Sequence, residues 1–189
     1  MPGMMIHLAV AHEYDGNGDG LFYFANMAPD YTDARAIKDI IHLRDKPDRE
    51  AALRELRQTL DLENPFELGW LLHLFTDWQW DTRVIPRYRD AYTGDGNWFL
   101  AYRPELGRIS FKLFREEPWA REVWEKIGAA ELNDTYSLTR SLPVPLELGW
   151  FARRVRARHE RGGDEPKYFT VEFTENFARE TAERFREWL

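Results

Sequence analysis

The sequence predicts an all-α fold, a single-domain multi-helix bundle over residues 1–189. Three observations point there. Apolar residues recur at helical spacing through most of the chain, and only one short stretch, 167–173, alternates as a strand would. Prolines 65, 104, 118 and 145 stand where the first turn of such a segment would begin, the position that tolerates a missing N–H. With 189 residues, 43% hydrophobic and 15% aromatic, the chain has enough apolar surface for one core.

Taken in order, residues 4–14 read as a short helix in which Met4, Leu8 and Ala11 share a face with His7. His12 lies about 140° around that helix from His7, so it is expected at the surface. Residues 15–20, DGNGDG, match the first half of a calcium loop. The twelfth position is Asn26 where a bidentate Glu is needed, so a plain Asx/Gly turn is predicted. Leu21 to Met27 is an apolar approach to Ala28-Pro29-Asp30. Asp30 is expected to cap the helix through Arg35, Ile37, Ile40 and Ile41, although so apolar an approach brings it in from the interior side. His42 closes that helix and the charged turn LRDKPD follows. Residues 48–62 carry Leu53, Leu56 and Leu60 on one stripe, an amphipathic surface helix.

Pro65 opens the central helix, which is expected to end or kink at Ile85-Pro86. Further helices are predicted over 98–102, 104–115, 118–127, 145–159 and 174–188, with KYFTVEF at 167–173 as a small extended segment. RGGDE at 161–165 is too short to separate domains. Glu67-Leu68-Gly69-Trp70 recurs as Glu147-Leu148-Gly149-Trp150, with Arg153 and Ala157 at the positions matching His73 and Asp77. The run Arg153, Arg154, Arg156, Arg158 with His159 reads as a solvated face.

Composition narrows the partners. A net charge of -7 argues against a nucleic-acid binder and favours a small or neutral ligand. Without cysteine there is no disulfide, thiolate metal site or Cys nucleophile. The N-terminal stretch lacks a cationic segment and is a poor secretory signal. No apolar run approaches the ~20 residues that span a bilayer, and no lipid anchor is visible. A cytoplasmic protein without a stable membrane anchor is expected; the pattern does not bear on oligomeric state.

The chemistry concentrates in residues 66–81, FELGWLLHLFTDWQWD, where His73 and Asp77 stand four residues apart on one helix face with Gly69 a turn earlier. A carboxylate in so apolar a helix costs several kcal/mol unless a positive group pairs with it, and the neighbouring turns offer none before Arg83. A metal ion would answer that need. The plainer reading is that His73 and Asp77 hydrogen-bond each other or the backbone. His7, Asp30 and His42 extend the set to five side chains from four apolar-flanked segments, the nitrogen and oxygen donors that a metal site in a helical bundle uses. Such a set accepts zinc, iron, manganese or nickel.

The order and spacing of His7 in MPGMMIHLAVA, Asp30 in Ala-Pro-Asp, His42 twelve residues later and HLFTD at 73–77 resemble the zinc-dependent phospholipase C-like family, in particular its intracellular branch of hypothetical hydrolases. The resemblance covers roughly residues 1–90. It implies a phospholipase C/P1 nuclease-like core in which Asp30, His42, His73 and Asp77 hold one zinc ion, while Asp77 bridges toward a second that His7 helps to hold. The family's amino-terminal Trp has no counterpart in Met1-Pro2, and after Asp77 the only histidine is His159, so the ligands of a third zinc are missing. The expectation is one tightly bound ion, with His7 completing its shell or forming a weak second site. A metal lowers the pKa of bound water to roughly 7, and Asp30 or Asp77 would position or deprotonate that water. The expected function is a metal-dependent hydrolase of a small-molecule phosphate ester. The alternative is a helical metal-binding or structural protein without catalysis. An HD-type phosphohydrolase is disfavoured, because no His-Asp dipeptide occurs.

Overall fold

Asn64 starts the central helix α5, Pro65–Gln79: its side chain accepts from Phe66 N, and Pro65 occupies the first helical position. The helix is apolar on nearly every side and correspondingly buried, the behaviour of a core helix rather than an amphipathic one. The computed structural model describes residues 1–130, 148–160 and 163–189. The other helices are α1 (Met4–Tyr14), α2 (Gly20–Ala25), a single 3-10 turn (Ala28–Asp30), α3 (Arg35–Ile41), α4 (Arg49–Thr59), α6 (Ile85–Ala91), α7 (Trp98–Glu116), α8 (Pro118–Ala129), α9 (Leu148–Glu160) and α10 (Val171–Trp188), of which α1, α2, α4, α10 and the 3-10 turn pack directly on α5. Among the described residues every regular element is helical, and no helix is long and apolar enough to cross a membrane.

Helix α1 is the second core element. Met5, Ile6, Leu8, Val10 and Ala11 are fully buried. Its most extensive packing is against α10, where Tyr14 meets Phe185 at 5.2 Å and Arg186 Nη2 donates to Glu13 O and Tyr14 O, both at 2.7 Å. Helix α5 lies against α2 at a separation only glycine allows: a Cβ on Gly69 would stand 2.3 Å from Phe22 O.

Several elements differ from the sequence expectation. Residues 15–20 form the expected turn, with Asp15 Oδ1 accepting from Asn17 N, but Asp19 then caps a helix, α2, where only an apolar approach was anticipated. Residues 98–102 and 104–115 are one helix, α7, with Pro104 inside it. Pro104 and Leu100, whose carbonyl loses its helical donor to the proline, are both exposed residues. The expected disturbance near Pro86 takes the form of a π turn, Trp80–Val84, in which Ile85 N–H reaches Trp80 O. Residues 167–173 make no strand; Thr170 caps α10, which starts at Val171. The expected start of α9 at Pro145, the repeated Glu147 and residues 161–162 of RGGDE lie outside the described residues.

Candidate metal centre

Four elements bring the five candidate residues together. Helix α1 contributes His7, the 3-10 turn Asp30, the C-cap of α3 His42, and α5 both His73 and Asp77. His7, His42, His73 and Asp77 are fully buried, and the Asp30 side chain keeps 10% exposure. The His7 and His73 rings stack at 3.8 Å with 5° between their planes. Nε2 of His42 lies 3.1 Å from Nε2 of His73 and 3.5 Å from both Asp30 Oδ1 and Asp77 Oδ2, while His7 Nε2 is 3.4 Å from Asp77 Oδ1. Two overlapping triads, His42 with His73 and Asp77, and His7 with Asp30 and His73, each gather one donor atom per residue within 4.8 Å.

The decisive detail is the tautomer. Nδ1 of His73 meets Asn26 O at 2.8 Å, and Nδ1 of His42 meets Lys38 O at 2.7 Å. A carbonyl oxygen only accepts, so each Nδ1 must carry the hydrogen and each neutral ring bares a lone pair at Nε2. Those two lone pairs then face each other at 3.1 Å between two fully buried rings. Either an additional proton or a cation has to lie between them. A metal ion bound at ~2.0–2.1 Å in tetrahedral geometry sets two ligating nitrogens about 3.3 Å apart, so the pair is spaced for it. Both ring nitrogens of His7 and Asp77 Oδ1 also lack a hydrogen-bond partner, an expensive arrangement unless something else engages them.

Electrostatics prepare the same states that ligation needs. Burial, with His7 alongside, holds the His73 imidazole well below its ordinary range, so it is neutral. Burial alone would raise both carboxyls. The His42 ring and Lys38 instead hold Asp30 below its ordinary range, and the His7 ring and the Met1 amino group do so for Asp77.

Asp77 is not left without a cation, contrary to what the apolar turns around it suggest. A positive partner for Asp77 exists, supplied from outside its helix: Arg44 Nη2 stands 2.8 Å from Asp77 Oδ2 and Arg49 Nη2 3.7 Å from it. Asp81, carried by the π turn, completes this group by meeting Arg49 at 2.8 Å, Arg44 at 3.4 Å and the Met1 amino group at 2.9 Å. Sequence reasoning missed all three. The available signal was the charged turn directly after His42, where Leu43 takes a left-handed φ of 56° and reverses the chain so that His42 and Arg44 both reach Asp77. Asp30 likewise does not cap α3, whose N-cap is Ala34; its carboxylate turns inward to Lys38 Nζ at 2.9 Å and to His42.

The two remaining histidines stay out of the cluster, though neither is a plain surface residue. His12 is half-buried and stacks on Trp119 at 5.4 Å. His159 is 6% exposed and packs among Phe111, Phe114 and Trp124, which corrects the expectation of a solvated face for that position. No family model matches the chain, and no curated protein or solved structure is similar enough to match.

Proposed function

We propose that this protein is a metal-dependent hydrolase of a small phosphate ester. The observation that carries the reading is the pair of bare Nε2 atoms on His42 and His73, facing each other at 3.1 Å with Asp30 and Asp77 beside them. Donors of this kind suit zinc, held by Asp30, His42, His73 and Asp77 as one tight ion, with His7 completing its shell or serving a weak second site. The resemblance to the zinc-dependent phospholipase C-like family supports the same ligands and a phospholipase C/P1 nuclease-like core, and it rests on the motif positions alone. When bound, such an ion lowers the pKa of water to about 7 and polarises a phosphoryl oxygen.

The chain's own groups divide the remaining work. The Nδ1–H bonds to Asn26 O and Lys38 O fix the two rings in the ligating tautomer. Asp77, fully buried and gripped by Arg44, is a ligand and an anchor. Asp30, the one carboxylate of the set with solvent exposure, is the group that accepts a hydrogen bond from the attacking water, and Lys38 keeps it ionised. The test is metal analysis of the purified chain after equilibration with zinc, alongside chelator-sensitive hydrolysis of phenyl phosphate. About one tightly held ion per chain and chelator-sensitive turnover are expected, and a wild-type chain that takes up no divalent ion overturns the reading.

A second reading, a helical metal-binding or structural protein without catalysis, is favoured by one specific observation. Arg44 and Lys38 already balance Asp77 and Asp30. Zinc uptake without turnover on any phosphoester would select it.

A further inference from the structure

From Asp30 and Lys38 a cleft of about 400 Å³ runs outward between the first residues of the chain, α7 and α9. That volume lies at the lower end of sites that enclose one small molecule. Parts of its wall serve no visible structural end. Ser110, 3% exposed, leaves Oγ without a hydrogen-bond partner. His159 commits Nδ1 to Val155 O at 2.8 Å, which leaves Nε2 a bare acceptor.

At the exposed rim Arg103 and Arg158 form no ion pair with any described residue; Arg103 has only the Phe99 ring, at 5.9 Å. The neighbouring cations are occupied, Lys38 by Asp30 at 2.9 Å and Arg154 by Asp33 at 3.0 Å. Two unpaired guanidinium groups match a phosphate monoester, which carries about -1.5 to -2 at neutral pH, better than a diester with a single charge.

Resting on the hydrolase reading above, we propose that this cleft binds a small, hydroxyl-bearing phosphate monoester. Arg103 and Arg158 draw the phosphoryl group into the cleft that Asp30 also lines, and Ser110 Oγ and His159 Nε2 take hydrogen bonds from the organic part. The site thus differs from the metal cluster in composition while sharing Asp30 with it.

The test titrates inorganic phosphate and phenyl phosphate into the full chain by calorimetry, with and without zinc. The variants are the double substitution Arg103→Ala with Arg158→Ala, Gly107→Trp, and Arg153→Ala as a control outside the cleft. A Cβ on Gly107 meets nothing nearer than Phe111 at 3.9 Å, so the Trp ring enters the cleft without disturbing α7. The double variant is expected to weaken phosphate about tenfold, the sum of two exposed ion pairs. Gly107→Trp should abolish phenyl phosphate binding, Arg153→Ala should change neither ligand, and zinc content should be equal in all.

Wild-type affinity for both ligands in the double variant and in Gly107→Trp overturns the proposal, as does a wild-type chain that binds neither ligand in either zinc state. A chain that binds no zinc yet loses phosphate with the two arginines removes the hydrolase reading and supports the cleft. Vesicles containing phosphatidate present the same dianion on a surface; their capture of the protein without competition from phenyl phosphate overturns the small-ligand assignment.

Discussion

Replacing Gly69 by Ala puts a methyl group where α2 already lies. The new Cβ would stand 2.3 Å from Phe22 O, 2.9 Å from Ala25 Cβ and 3.2 Å from Asn26 N. Ordinary C···O contacts begin near ~3.3 Å, so α2 must retreat by about 1 Å. Because the obstacle is backbone, no rotamer change relieves it. Overpacking of this kind costs about 1–3 kcal/mol, against which Ala returns about 1 kcal/mol of helix propensity.

The retreat also pulls on two hydrogen bonds, Asn26 Nδ2 to Gly69 O at 3.2 Å and His73 Nδ1 to Asn26 O at 2.8 Å, each worth about 1 kcal/mol. The net expectation is a loss of about 2–3 kcal/mol, or roughly 5–10 °C in Tm for a chain of this size. Thermal and urea unfolding read the stability. Zinc titration of the folded variant reads the second effect, because a freed His73 ring no longer holds its Nε2 toward the cluster, and affinity falls. A variant that unfolds at the wild-type temperature or above would refute the α2–α5 spacing. Unchanged zinc affinity would refute the role of Asn26 in fixing that ring.

Three further outcomes follow from the site and its surroundings. His73→Ala and Asp77→Ala each should abolish bound zinc while His12→Ala and His159→Ala retain it; equal metal content in all four variants sinks the ligand assignment. Arg44→Met leaves Arg49, at 3.7 Å, as the nearest guanidinium to Asp77, and should destabilise the zinc-free chain by about 2 kcal/mol and the zinc-loaded chain by less, as judged by urea unfolding. The same loss in both states counts against an ion at Asp77. Finally, burial pushes His159 down from 6.5 to about 4. As pH falls below 6.5 the unfolded chain takes up a proton that the folded chain refuses, so stability declines until about pH 4, by at most about 3 kcal/mol. Asp30 and Asp77, held below their ordinary 3.8, give up their contributions only under that window. His159→Phe should make the decline between pH 6.5 and 4 shallower, by up to the share of one proton, while His73 and His12, also held down by burial, keep the rest; an unchanged slope would count against a buried neutral ring.

What the sequence made legible was local. The i,i+4 relation of His73 and Asp77, the Pro65 start of α5, and the opposite faces of His7 and His12 all follow from helix geometry within one element, and the structure has them so. The five residues singled out do lie together. At the site, two of the three misses concern what comes from elsewhere in the chain. Arg44 answers Asp77 across 33 residues, through a turn that depends on an unusual φ at Leu43, and nothing in the periodicity of either helix announces it. Asp30 had the sequence of a cap, but the chain continues through Tyr31 to Ala34 before α3 begins, so its carboxylate is free to turn inward. His159 sat in a basic run, and its burial comes from aromatic rings on α7 and α8 that no single-helix pattern includes.

The packing of α1 against α10 bears on when the cluster is finished during synthesis. All five candidate ligands lie between residues 7 and 77, so a ribosome delivers them early. Yet α1, which carries His7, is apolar nearly all round and has its largest partner in α10, made last of the described helices. Until Phe185 and Arg186 arrive to close over Tyr14, the apolar flank of α1 has no cover, and the nascent chain has a strong reason to leave α1 undocked or to shield it elsewhere. Phe75 of α5 also meets Phe185 at 5.1 Å and Trp188 at 5.3 Å, so both helices that carry the cluster's His7 and His73 lean on α10. A nick or deletion within 171–188, far from every candidate ligand in sequence, would therefore be felt at the cluster through the seating of α1 and α5, which carry His7, His73 and Asp77.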